Sequence, residues 1–307
     1  MGSAVKSICL IGGSGFVGRH LAARLVASGH QVTVLTNSRN QNRDMLVLPT
    51  LQLVQCDPYD QTVLRSVLTG MDVVVNLVGI LNERGRNGSG FRRAHVDLTT
   101  ALLEASQYVG VTRFLQISSL KADPDGPSFY ARTKGESEAL VRASASAGTE
   151  WTIFQPSVVF GREDDFINRF ADLIKTLPVF PLACPNSRLQ PVFVGDVAEA
   201  VIRAIADRSS IGQTYQLCGP RVYSLREIVL LIADALNLNR PVLRLSPTLG
   251  KLQARIMEFV PGKPFSIDNY RSLSVHNICD KSGLSQKDLG INANAMEPII
   301  RRYLRKS

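Results

Sequence analysis

Three features of this 307-residue chain predict an α/β fold, a doubly wound parallel sheet followed by a smaller C-terminal substrate lobe. Short apolar runs alternate with amphipathic stretches of helical length through the first half. The first of these runs ends in a glycine-rich turn. Beyond Pro156 the alternation weakens and proline becomes frequent, with Pro178, Pro181, Pro185 and Pro191 in one stretch.

Lys6 to Ile11 is the first strand, and Gly12-Gly13-Ser14-Gly15-Phe16-Val17-Gly18 carries it into a helix. Val17, Leu21, Leu25 and Val26 give that helix one apolar face. Gln31 to Leu35 alternates as a second strand. Leu51 to Gln55 is a third, closed by Cys56-Asp57-Pro58, and a short helix follows from Gln61 to Leu68. Met71 to Leu77 is apolar almost throughout, as a strand covered on both faces must be. Phe91 to Tyr108 forms a long helix, Phe114 to Ser118 a fifth strand, Tyr130 to Ala147 another helix and Trp151 to Gln155 a sixth strand. Later helices fall at Val197 to Ala206 and Leu225 to Leu236. Residues 1–156 thus read as a Rossmann-type dinucleotide-binding unit. Residues 157–307 form mainly the smaller, substrate-facing lobe, with 191–217 returning to the sheet.

Composition narrows the function. Hydrophobic residues make up 45% and charged residues 20%, ordinary for a globular enzyme. No apolar run reaches the ~20 residues that cross a bilayer. The N-terminus lacks the pattern of a signal peptide, and Lys6 stands where a myristoylation site requires Ser or Thr. Cys9, Cys56, Cys184, Cys218 and Cys279 are scattered, which predicts free thiols in a reducing cytoplasm. His20, His30, His95 and His276 have no metal-ligand spacing, so no metal site is expected. The net charge of +9 favours anionic partners, whereas the aromatic–basic interleaving of nucleic-acid modules is missing. A phosphorylated cofactor, or a membrane surface, suits that charge.

The glycine turn has the form needed to hold a pyrophosphate. Gly12 allows the tight turn, Gly15 lets the backbone approach the phosphates and Gly18 permits close helix–strand packing. Free N–H groups at the helix start face the anion. At the end of the second strand, Asn37-Ser38-Arg39 holds no acid, and Arg43 follows. A carboxylate there would favour a ribose 2′-hydroxyl, whereas these donors suit a 2′-phosphate, so NADP(H) is favoured over NAD(H). The alternative for Arg39 is a solvated loop charge.

Chemistry is suggested by Tyr130 and Lys134, at i and i+4 on one helix face. A free phenol ionises near pH ~10, and a neighbouring ammonium lowers that value and allows a proton relay. Ser118 and Ser119 close the fifth strand, at the sheet edge where such folds bind ligands. The bland alternatives are a surface Tyr–Lys pair and serines that cap a strand end.

With these residues in order, the chain resembles the extended and atypical short-chain dehydrogenase/reductase superfamily from Ile8 to about Ala235. The matching stretches are Gly12/Gly15/Gly18, Asp57, Asn76-Leu77-Val78-Gly79, Ser119, Tyr130/Lys134, Pro156, Val194-Gly195-Asp196-Val197-Ala198 and Tyr215-Gln216-Leu217-Cys218-Gly219. The resemblance implies Tyr130 as general acid/base, Lys134 as ribose ligand and tuning cation, and Ser119 as the group polarising substrate. It also implies cofactor contacts from Asp57 (adenine, unless it caps the next helix), Asn76 to Gly79, Ile117, Pro156 and Val158. His95 stands where the superfamily usually has a helix asparagine.

Asn76 to Leu81, Phe91-Arg92-Arg93, Ala122 to Ser128, Trp151 to Phe154 and Pro181 to Pro185 resemble a narrower group. These are bacterial relatives of the nucleotide-binding alpha-subcomplex subunit nine of NADH:ubiquinone oxidoreductase. That likeness implies a non-catalytic, NADP(H)-bound accessory role, with peripheral contact to a membrane respiratory complex. Two functions are therefore expected: an NADP(H)-dependent oxidoreductase acting on an unknown small molecule, or such an accessory protein. The expected location is cytoplasmic, with the inner face of the membrane as the peripheral alternative. From Pro247 to Val260, Leu249, Leu252, Ile256 and Phe259 form a helical stripe beside Lys251 and Arg255, able to pack on the lobe or to lie on a membrane.

Overall fold

The computed structural model describes residues 5–260 and 263–305. Met1-Gly2, discounted above as a lipidation site, lies outside them. Strand β1 (Ser7–Ile11) leads into α1 (Phe16–Ala27), β2 (Gln31–Thr36), β3 (Leu51–Gln55), α2 (Gln61–Leu68) and β4 (Val73–Asn76). Then come α3 (Ser89–Arg92), α4 (Leu98–Val109), β5 (Arg113–Ile117), α5 (Phe129–Ala143) and β6 (Glu150–Pro156). The rest comprises β7 (Val159–Phe160), α6 (Asp165–Thr176), β8 (Phe180–Leu182), β9 (Arg188–Leu189), β10 (Val192–Phe193) and α7 (Val194–Ala206). After these follow β11 (Gln213–Leu217), β12 (Tyr223–Ser224), α8 (Leu225–Ala235), β13 (Val242–Arg244), α9 (Pro247–Met257), α10 (Ile267–Leu273) and α11 (Met296–Leu304).

Seven strands form one parallel sheet in the order β11-β6-β5-β4-β1-β2-β3. The period of two sorts β1 onto both faces. Ile8 and Leu10 pack with Leu21 and Leu25 of α1 and Val197 and Val201 of α7. Cys9 and Ile11 pack with Leu64 of α2 and Leu102 of α4. Chain order reverses between β1 and β4, and that switch point opens the crevice in which doubly wound sheets bind ligands.

The long helix expected from Phe91 is interrupted by a π-helical turn over Arg93–Asp97 that carries His95. The helix expected to reach Ala147 ends at Ala143 and runs on as a 3₁₀ turn to Gly148, whose positive φ stops it. Beyond Pro156, just ahead of the proline cluster, the expected irregularity gives way to α6, which has a buried Ile167, Ala171 and Ile174 face. With α8 and α11 it builds a second core around Ile228, Ile232 and Ile300.

One expectation is overturned. Cys218 and Cys279 form a disulfide, so the cysteines are not all free thiols; Cys9, Cys56 and Cys184 are. The cause is a non-local return of chain. Ser285 bridges to Gln216 of β11, Gln286 holds the backbone of Cys218, and Gln190 accepts from the Cys279 amide. No sequence spacing announces a pair formed that way.

Candidate active site

The glycine turn sits at the switch point, against the loop that leaves β4. Gly12 has φ +79°, and a Cβ there would meet Val78 at 3.0 Å. Gly15 is the N-cap of α1, and a Cβ on it would meet only the Gly12 carbonyl, at 3.3 Å. The approach to the helix N-terminus past Gly15 is therefore open to an anion. A Cβ on Gly18 would lie 2.5 Å from the Gly13 Cα and carbonyl oxygen, so helix and turn touch backbone to backbone. Phe16 packs beside Gly161, which ties the turn to the β7 end of the second lobe. This cradle fits a dinucleotide pyrophosphate.

Beside it lies the end of β2. Asn37 and Arg39 are exposed and Ser38 is half-buried. Arg19, not singled out from sequence, spans the two loops. Its Nε donates to the Ser14 carbonyl and one terminal nitrogen to Asn42 Oδ1 at 2.7 Å. The other terminal nitrogen pairs with Asp44, whose carboxyl it holds below the ordinary value. Asn42 is itself fixed by Thr36 Oγ1 and the Ser38 carbonyl. The signal for Arg19 was its position directly after Gly18. Asp57 is exposed at the end of β3 and accepts from the Tyr59 amide. Capping of α2 falls to Asp60, which accepts from the Thr62 and Val63 amides, so that duty does not engage Asp57.

Around the nearby helix the polar groups converge. Lys134 is buried, and its Nζ donates to the carbonyls of Val78 (3.0 Å) and Ile117 (3.1 Å). It therefore reads the ends of β4 and β5 at once, with Gly79 leaving room beside it. Burial lowers the ammonium to about 8, against the opposing charge of Glu138. One turn earlier, burial pushes the Tyr130 phenol above its ordinary value, and the neighbouring Ser119 hydroxyl pulls the other way. The expected lowering of the phenol by Lys134 does not appear: Ser119 is the opposing influence, and burial outweighs it. The phenol is therefore in its protonated form at neutral pH, the form a general acid needs. Ser118 carries a buried hydroxyl with no hydrogen-bond partner among the described residues.

His95 and Asn76 are engaged by the protein itself. His95 Nε2 accepts from the Ile80 amide and Nδ1 meets Thr133 Oγ1 at 2.9 Å. Burial, and next the charge of Lys134, push the imidazole down to about 2, so it stays neutral. Its ring meets Tyr130 edge-on at 5.5 Å between centroids. Asn76 Oδ1 accepts from the Val78 amide and its amide donates to Thr99 and Gln116. Both residues shape the 77–80 turn from behind. Pro156 accepts from the Leu120 amide and Val158 from that of Val192.

Asp268 of α10 was not anticipated. It accepts from the Phe129 (2.6 Å) and Tyr130 (3.2 Å) amides, while Ser128 accepts from Ala131. A carboxylate at a helix N-terminus is favourable. Here it fastens the second lobe to the first turn of α5. Only tertiary contact reveals it, because Phe129 and Asp268 lie 139 positions apart.

Comparison with known proteins finds a matching family and similar chains. Residues 8–218 match the model of the NAD dependent epimerase/dehydratase family. NADH dehydrogenase [ubiquinone] 1 alpha subcomplex subunit 9 of Arabidopsis thaliana is 29% identical over 298 residues, covering 92% of this chain and 73% of that protein. The Mus musculus subunit of the same name is 31% identical over 226 residues, covering 72% of this chain and 58% of that one. Among solved structures, a Streptomyces venezuelae dTDP-glucose 4,6-dehydratase with NAD bound has a TM-score of 0.75 at 19% identity, covering 97% of this chain and 96% of the other. The Thermus thermophilus UDP-glucose 4-epimerase with NAD has a TM-score of 0.67 at 22% identity, covering 86% of this chain and 99% of the other. These structures share the fold.

Proposed function

The chain belongs to the NAD dependent epimerase/dehydratase family, and from that premise we propose that it is an NADP(H)-dependent oxidoreductase. The observation that carries this reading is the meeting of Ser119 and the Tyr130 phenol one helical turn from buried Lys134. Gly12 to Gly18 would hold the pyrophosphate and Lys134 a ribose hydroxyl. Asp57 would meet the adenine, and Val78, Gly79, Ile117, Pro156 and Val158 would wall the crevice. When bound, the reduced nicotinamide supplies a hydride. Tyr130, protonated at neutral pH, donates its proton to the substrate oxygen. Ser119 orients that oxygen, and Lys134 steadies the charge left on the phenol. His95 remains neutral and holds the turn.

The preference for NADP(H) is supported by the end of β2. No acid follows that strand before Asp44, and Asp44 is neutralised by Arg19, so a 2′-phosphate meets donors and no free carboxylate. Titration of the purified protein with NADPH and NADH tests this. Tighter binding of NADPH is expected, and Arg39→Ala should weaken NADPH at least ~10-fold with little change for NADH. Equal affinities in the wild-type protein, or an equal loss for both in the variant, would refute the preference.

A second reading is favoured by the likeness to alpha subcomplex subunit 9. In it the same NADP(H) is held without turnover, by an accessory protein peripheral to a membrane respiratory NADH:ubiquinone oxidoreductase. Both readings place the same dinucleotide in the same cradle.

A further inference from the structure

Helix α9 is built the wrong way round for a helix whose only task is to complete a core. Its inward face is made of small residues. Ala254 is fully buried, and a Cβ on Gly250 would lie 3.2 Å from Ala183 and 3.1 Å from the Tyr270 ring. Gln253 fixes the helix by donating to the Pro181 carbonyl. The large apolar side chains point away. Leu249, Leu252, Ile256, Phe259 and Val260 recur at helical spacing and are between 43% and 73% exposed. Soluble surfaces scatter such residues singly, and a contiguous stripe of five marks a contact.

The charges on this face identify what it meets. Lys251 and Arg255 are exposed one turn apart beside the stripe, and residues 247–257 contain no acid. Glu258 follows, but it faces the Arg86 guanidinium and accepts from the Ile267 amide. The same guanidinium lies 4.2 Å from the Phe259 ring centroid. A second copy of this chain fits poorly. A two-fold contact along the stripe would bring Lys251 and Arg255 near the same two cations of the other copy. An anionic, apolar-backed surface fits both the leucines and the cations. Eleven helical residues span roughly 16 Å, enough to lie in an interface and too short to cross one.

We propose that the outer face of α9, continued by Phe259 and Val260, is a docking surface for an anionic lipid bilayer, with the helix lying flat in the headgroup region. The proposal does not depend on which dinucleotide is bound or on turnover.

Flotation of the full-length protein with vesicles tests it. The protein should rise with phosphatidylcholine vesicles doped with phosphatidylglycerol and remain behind with phosphatidylcholine alone. The triple variant Leu252→Ser/Ile256→Ser/Phe259→Ser should lose at least ~10-fold in vesicle affinity while keeping its NADPH affinity. A separate Phe259→Trp variant, at an exposed position, should show a blue-shifted, brighter emission on adding the doped vesicles. Undiminished flotation of the triple variant, equal binding to neutral vesicles, or no shift of the Phe259→Trp emission would each overturn the assignment. So would concentration-dependent dimerisation abolished by the triple variant in the absence of lipid.

Discussion

Replacing Tyr130 with Phe should reduce turnover at least ~100-fold while leaving NADPH affinity within about twofold of wild type. The ring supplies the edge contacts with His95 and Phe91, and Phe keeps it. Only the hydroxyl is lost, and with it the proton that reaches the substrate oxygen. Steady-state rates on a panel of carbonyl substrates, with NADPH binding measured in parallel, check this. The pH profile gives a second readout. Lys134 is lowered to about 8 by burial, so its ammonium loses its proton as pH rises through that value, and the wild-type rate should fall there. Turnover undiminished in Tyr130→Phe would remove the phenol from the chemistry.

The second large effect is expected at Gly18. Alanine is the better helix former by roughly 1 kcal/mol, yet its Cβ would stand 2.5 Å from Gly13 backbone atoms and 2.6 Å from the Gly12 carbonyl. Backbone cannot step aside as a flexible side chain would. We expect Gly18→Ala to cost about 2–3 kcal/mol in stability and to abolish NADPH binding, because α1 must move off the turn. Gly15→Ala separates the two consequences. Its Cβ meets only one carbonyl, at 3.3 Å, so folding should be nearly unaffected while NADPH binding weakens strongly. Thermal melts and NADPH titrations of both variants decide it; a stable, NADPH-binding Gly18→Ala protein would refute the proposed packing.

The sheet was legible where strands are buried on both faces. Val73-Val74-Val75 and Ile8 to Ile11 are continuous apolar runs, and their pairing follows from alternation with helices. The lobe beyond Pro156 was harder to read. Its clustered prolines fall after α6 and not within it, and their density masks the Ile167/Ala171/Ile174 face of that helix. The disulfide and the Asp268 cap join residues 61 and 139 positions apart, where no local pattern carries information. At α9 the period was visible in sequence. Its orientation was not, because Gly250 and Ala254 make an equally dry face for packing.

Within the site, Ser119, Tyr130 and Lys134 stood out because each lies at a strand end or on one helix face. The buried partners of His95 and Asn76 did not, since both residue types serve equally as cofactor ligands and as turn holders. The phenol's raised value was also beyond reach. Spacing on a helix places Lys134 one turn from Tyr130, but it is burial, opposed by Ser119, that sets the phenol.

The sharpest check is a crystal structure of the protein with NADPH. We expect the pyrophosphate at the Gly12–Gly18 turn and the nicotinamide ring beside the Ser119–Tyr130 pair, with the phenol oxygen about 3–4 Å from the ring. Lys134 should reach the adjoining ribose while keeping its bonds to Val78 and Ile117. A nicotinamide turned away from Tyr130, or NADPH held elsewhere on the molecule, would contradict the proposed site.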